Sequence, residues 1–88
     1  MLYRPPRTLA EYGLSRTQYY EQVNAGLLTK PVKIGDRAAA TPASEVEILK
    51  KARIAGLAEA EIKAIVVKLH AERDVLAAEL RASLKGAS

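Results

Sequence analysis

The 88-residue sequence contains no cysteine, no tryptophan and no phenylalanine, and it has one histidine. Without cysteine there is no disulfide framework, no cysteine-liganded zinc site and no thiol nucleophile, a usage that suits a reducing compartment. The single histidine, His70, has no second ligand at metal-binding spacing and reads as a solvated side chain. There is no glycine-rich phosphate loop and no convincing Ser-His-Asp set, so no enzyme activity, metal or cofactor is expected. Ser44-Glu45, Glu59 and Glu61 read as helix-start acids, favoured there by the macrodipole. No apolar run approaches the roughly 20 residues of a membrane span. The N-terminus also lacks a signal-peptide stretch, so a cytoplasmic location without membrane contact is expected. Aromatic side chains are limited to four tyrosines, and much of the 49% hydrophobic fraction is alanine. A chain this short builds only a thin core, to which association is expected to add stability.

What the chain does have is a basic excess, and that excess is uneven. The net charge is +4 and the sequence pI near 9.6. Residues 1–42 carry six basic side chains (Arg4, Arg7, Arg16, Lys30, Lys33, Arg37) against Glu11, Glu21 and Asp36. Residues 43–88 carry eight basic and seven acidic ones, the balance of a salt-bridged, solvated helical surface. The first half is the part suited to a polyanion.

Local signals divide the chain into an arm (1–7), a small domain (8–55) and a C-terminal helix (57–85). Pro5-Pro6 predicts an extended arm, since proline disfavours helix before and through it. Thr8 is placed to cap a short helix over residues 9–12, and Gly13-Leu14-Ser15 reads as a tight turn with a buried leucine. Ser15 and Gln18 have the spacing of a capping box, which predicts a second helix from Arg16 to about residue 24 or 25, ended by Gly26. Leu9, Leu14, Tyr19, Val23 and Leu27 are the expected core of this pair. Residues 30–41 predict a two-stranded hairpin: Val32 and Ile34 alternate with Lys33, a Gly35-Asp36 turn follows, and an alanine-rich strand returns. Thr41-Pro42 predicts the cap and first residue of a helix over 42–55, with Val46 and Leu49 inward, interrupted by Gly56. A long helix over about 58–84 carries Ile62, Val66, Leu69, Arg73, Leu76 and Leu80 at alternating spacings of four and three. Gly86-Ala87-Ser88 is read as a frayed end.

A helix, a glycine turn, a capped second helix and a basic hairpin make the grammar of a winged helix-turn-helix. The predicted fold is therefore mainly α with a small β-hairpin wing, followed by a long C-terminal helix. A capped helix presents unpaired backbone N–H groups and partial positive charge to a DNA backbone, and its first turns reach base edges. The expected contacts there are Ser15, Arg16, Thr17, Gln18, Tyr20 and Glu21, with Arg16 suited to phosphate or guanine, Gln18 to adenine and Glu21 to a cytosine amino group. Lys30, Lys33 and Arg37 would lie along phosphates or enter the minor groove. Arg4 and Arg7 read either as a minor-groove arm or as the solvated end of the chain.

The order of segments Tyr12-Gly13-Leu14-Ser15-Arg16-Thr17-Gln18-Tyr19-Tyr20, Gly26, Lys30-Pro31-Val32-Lys33-Ile34-Gly35, Arg37-Ala38 and Ser44-Glu45-Val46 resembles the AlpA-type family. These are MerR-like winged helix-turn-helix regulators and excisionases of prophages and integrative elements. The resemblance covers about residues 8–50, and it implies groove entry by Ser15 to Tyr20 and wing contacts by Lys30, Lys33 and Arg37. Thr41 stands where the family commonly has tryptophan, Glu21 where a basic residue is usual, and the long helix lies beyond the family's usual end.

The expected function is sequence-specific binding of double-stranded DNA in a mobile element, as transcriptional regulator, as excisionase beside an integrase or recombinase, or as both. Cooperative binding to repeated sites would supply the specificity that one small domain lacks. Two other readings remain: a terminase-like DNA-recognition subunit of phage packaging, and a protein-binding adaptor that uses the long helix. The stripe Ile62, Val66, Leu69, Arg73, Leu76 and Leu80 either folds back on the domain or forms a homo-oligomer, as a dimer or a cooperative array. In an oligomer Arg73 would meet Glu72 or Glu79 of a partner helix, or lie at the rim.

Overall fold

The computed structural model describes residues 1–86. It is mainly helical, with a small antiparallel sheet and a long C-terminal helix. In chain order the elements are β1 (Leu2–Tyr3), α1 (Pro5–Tyr12), α2 (Arg16–Asn24), β2 (Val32–Gly35), β3 (Ala38–Pro42), α3 (Ala43–Ile54) and α4 (Glu59–Gly86). Gly86 belongs to α4, whereas Ala87 and Ser88 lie outside the described residues.

Three helix ends use the same device. Gly13, Gly26 and Gly56 all take positive φ (68°, 79° and 74°), a conformation glycine adopts without steric penalty. Each is followed by a leucine whose N–H reaches back five residues: Leu14 to Leu9, Leu27 to Gln22 and Leu57 to Ala52, at 3.1, 2.9 and 3.1 Å. The side chains of Leu14, Leu27 and Leu57 then pack on the core. Each Gly-Leu pair thus closes a helix and attaches the turn to the interior.

The start of α2 matches its expectation atom by atom. The Gln18 N–H donates to Ser15 Oγ at 3.2 Å, and the Ser15 N–H donates to Gln18 Oε1 at 3.0 Å. Ser15→Ala removes one of these bonds and is expected to cost about 1 kcal/mol. For a domain of this size that lowers Tm by roughly 4–8 °C, readable by circular dichroism.

The N-terminal arm is corrected. Pro5 and Pro6 do not prevent a helix but begin one, because the first helical positions need no N–H donor. Thr8 is not the cap. It lies buried inside α1, and its hydroxyl donates to the carbonyls of Tyr3 and Arg4 at 3.3 and 3.2 Å. Leu2 and Tyr3 before it form a strand, pairing with Pro42 and Thr41 of β3. The expected hairpin is present as β2 and β3, with a bulge between Lys33 and Gly35, and β1 completes a sheet of order β1-β3-β2. β3 is therefore central. Hydrogen bonding along both edges offsets the weak strand preference of its alanines. Thr41 and Pro42 are also reassigned: both end the strand, and α3 starts at Ala43 without a side-chain cap.

The core is assembled from α2, the segment after it, α3 and α4. Tyr19, Val23, Leu28, Leu49, Ala52, Ile62, Val66 and Leu69 form one buried cluster. Leu28 and Thr29, which carry no periodic signal, are almost fully enclosed. Polar ties hold the helices at the rim. Lys50 of α3 pairs with Glu11 of α1 at 2.9 Å, and Arg53 Nη2 donates to Gln22 Oε1 while its guanidinium covers the Tyr12 ring at 5.7 Å.

Candidate nucleic-acid interface

Every side chain expected to meet DNA is on the surface. Ser15, Arg16, Thr17 and Gln18 are exposed around the first turn of α2, with Tyr20 and Glu21 one turn on. The buried Tyr19 and Val23 turn the opposite side of α2 inward. By the 3.6-residue repeat, anchoring positions 19 and 23 leaves 17, 18 and 21 outward and 20 on the flank, while Arg16, on the anchored side, is exposed because it starts the helix. Tyr20 is steadied by an edge contact with Tyr19, ring centroids 5.1 Å apart.

The start of α2 lies against two other parts of the chain. Arg16, Tyr20, Pro5 and Pro31 line one small depression, floored by Ala40 and Thr41 of the central strand. Pro31 adjoins Lys30, so the base of the hairpin and the N-terminal turn of α2 are neighbours. Lys33 lies on β2 and Arg37 in the turn that follows it, both exposed. Among the described residues Arg4, Arg16, Lys30, Lys33 and Arg37 take part in no ion pair, so their charge faces solvent. Arg7 differs. Its guanidinium sits over the Tyr3 ring at 4.6 Å and its Nε pairs with Glu11 at 3.2 Å, which removes it from a free arm.

The long stripe of α4 is divided by the fold. Ile62, Val66 and Leu69 are buried against the chain's own α2 and α3 cluster, which corrects their assignment to an oligomer interface. Arg73 does not await a partner helix either. It forms a two-pronged ion pair with the buried carboxylate of Glu45 on α3, Nε to Oε2 at 2.8 Å and Nη2 to Oε1. Glu45, read as a helix-start acid, is thus also the anchor for α4. Leu76 and Leu80 remain exposed.

His70 is likewise corrected from a solvated side chain to a tie between α4 and the hairpin base. Its Nε2 accepts the Lys30 N–H at 3.1 Å. Desolvation, then the nearby Arg73 charge, hold its pKa below the ordinary histidine value. The unfolded chain therefore takes up a proton more readily, and the stability contribution is complete above about pH 6.5 and falls as pH drops through that value. Urea titrations of the protein and of His70→Gln across pH 5–8 are expected to show this slope in the parent and its loss in the variant.

Burial also raises the hydroxyl pKa values of Tyr12 and Tyr19 above the ordinary tyrosine value. Among the described residues no group of three His, Asp or Glu side chains is positioned to hold a metal ion. No helix among them is long and apolar enough to cross a membrane. Compared with family models, curated proteins and solved structures, the chain matches none.

Proposed function

We propose that this chain is a sequence-specific double-stranded DNA-binding protein of winged helix-turn-helix type, acting in a mobile genetic element as transcriptional regulator, excisionase or both. The observation that carries the reading is the capped N-terminus of α2, with exposed Arg16, Thr17, Gln18 and Tyr20, beside a hairpin whose Lys33 and Arg37 are unpaired. A helix N-terminus attracts phosphate, and the side chains of its first turn are those that reach base edges in the major groove. Two cations on a protruding hairpin then track the adjacent backbone. The mobile-element role, and an integrase or recombinase as protein partner, rest on the AlpA-type resemblance of residues 8–50. In that role the protein would stack on repeated sites and shape the duplex without breaking bonds.

Fluorescence anisotropy on duplexes tiled across the gene's own neighbourhood, at several salt concentrations, tests the reading. Tight binding confined to one or two tiles is expected. The log–log salt slope should reach up to about −4.5 per monomer, as for phosphate contacts by the five unpaired side chains Arg4, Arg16, Lys30, Lys33 and Arg37. Equal weak binding to all tiles, or none, rejects sequence-specific recognition and turns attention to α4 as a protein-binding element.

A further inference from the structure

The depression between the start of α2 and the base of the hairpin is small and has an apolar lining. Its interior admits the centre of a water-sized sphere over about 10 Å³, room for a single methyl-sized group. Pro5 and Pro31 give its wall ring carbons and no N–H donor, and Ala40 adds a methyl to its floor. The polar side chains around it are already engaged. The Thr8 hydroxyl donates to the carbonyls of Tyr3 and Arg4, and the Tyr19 hydroxyl lies within hydrogen-bonding reach of the Thr41 side chain. A water there would lack the polar partners that hold buried water. A phosphate is too large, and Arg16 is the one charged donor it would meet. We propose that this depression takes the 5-methyl group of a pyrimidine in the major groove, thymine in unmodified DNA, beside the base pair that Arg16 meets.

The inference rests on the DNA-binding reading and adds to it a contact that reads a base without a hydrogen bond. The thymine methyl is the one apolar group that unmodified base pairs present in the major groove, so an apolar recess of methyl size matches it and no other feature there. Arg16 lines the recess, is exposed and takes part in no ion pair. Its guanidinium and the recess would therefore address base pairs one step apart, about 3.4 Å along a strand. Tyr20 lines the recess as well, its ring held by the edge contact with Tyr19 at 5.1 Å. The walls are fixed from outside α2. Pro5 begins α1, and the residue before Pro31 is tied to α4 through the Lys30 N–H bond to His70. A recess held in this way selects by shape. Cytosine, with hydrogen at C5, leaves it unfilled, and one unfilled methyl site gives a graded preference, not an absolute one.

The test uses the duplex tile that the protein binds specifically. Each thymine in it is replaced in turn by deoxyuridine, which removes the methyl and keeps Watson–Crick pairing. At one thymine per bound monomer the affinity is expected to fall about fourfold, the factor given by one buried CH2-sized group. Where cytosine occupies that position instead, 5-methylation should raise affinity by the same factor and identify methylcytosine as the source of the methyl. Ala40→Val fills the recess from its floor, and a β-branched side chain suits the strand it stands on. With its circular dichroism signal kept, this variant should bind the methylated and unmethylated duplexes equally. Pro31→Ala removes part of the wall without adding bulk and should reduce the ratio below about twofold. Specific binding in which no single pyrimidine methyl matters overturns the proposal and leaves the DNA-binding reading standing. A methyl effect that both variants retain in full also overturns it, since the methyl then sits elsewhere. Absence of any specifically bound tile overturns the proposal together with the reading beneath it.

Discussion

Arg73→Ala is expected to remove about 3–5 kcal/mol of stability, the range measured when one member of a buried ion pair is deleted. The physical reason lies with the partner left behind. The Glu45 side chain is 7% exposed, and the Arg73 guanidinium donates to both of its carboxylate oxygens. Without the guanidinium, a buried carboxylate has no compensating charge and must be rehydrated or protonated. A chain of this length has a total stability of roughly 4–13 kcal/mol, so the loss approaches the whole of a marginal fold. Detachment of α4 is the expected route, because Arg73 ties it to α3 beyond the buried stretch that ends at Leu69. Urea denaturation monitored by circular dichroism measures the effect. Replacing both partners, as in Glu45→Leu with Arg73→Met, is expected to recover most of the loss, since apolar side chains of similar volume need no compensation. A loss below about 1 kcal/mol for Arg73→Ala would instead put the pair in the class of solvent-screened surface bridges.

Removing two cations from the hairpin gives the largest expected effect on DNA affinity. The double variant Lys33→Ala, Arg37→Ala is expected to weaken binding about 10- to 100-fold at low salt. It should also flatten the log–log salt slope by nearly 2, about 0.9 for each phosphate no longer neutralised. Both side chains are exposed and make no ion pair, so thermal stability should hardly change. That separation matters, because a fold defect and a missing phosphate interaction both lower affinity but only the first lowers Tm. The loss should be uniform across duplex sequences, since phosphates carry no base identity. Arg16→Ala, at the helix start, should instead relax discrimination at one or two base pairs, by about 1–3 kcal/mol each if its partner is a guanine edge. An unchanged salt slope in the double variant means that the hairpin does not lie on the backbone.

The candidate interface was more legible than the scaffold that holds it. Ser15 with Gln18 announces a helix start through three-residue spacing alone, and the atoms that satisfy it belong to those two residues. Gly13, Gly26 and Gly56 mark three helix ends by the same locality, and the Gly-Leu repetition was a further signal in plain view. The hairpin was legible from Val32, Lys33, Ile34 and the Gly35-Asp36 turn. The prolines misled because proline is hostile to a helix interior and friendly to its first turn, and only the neighbours of Pro5 decide between the two. Strand β1 was hidden for a related reason. Two residues contain no periodicity, and Leu2–Tyr3 becomes a strand only because Thr41 and Pro42 lie alongside.

The same division runs through the rest of the molecule. The capped start of α2, the three glycine-closed helix ends and the single stripe of α4 follow from residues within a turn or two of each other, so the linear chain specifies them. Three things needed the folded chain. Tertiary contact made Arg73 the partner of Glu45, 28 positions away, rather than of a neighbouring molecule. It turned His70 from a surface side chain into the acceptor for Lys30, 40 positions away. And it divided one stripe, at Arg73, into a half covered by its own head and a half left open. Hydrophobic spacing states that a face requires burial, but the energy of burial is non-directional and does not name what covers it.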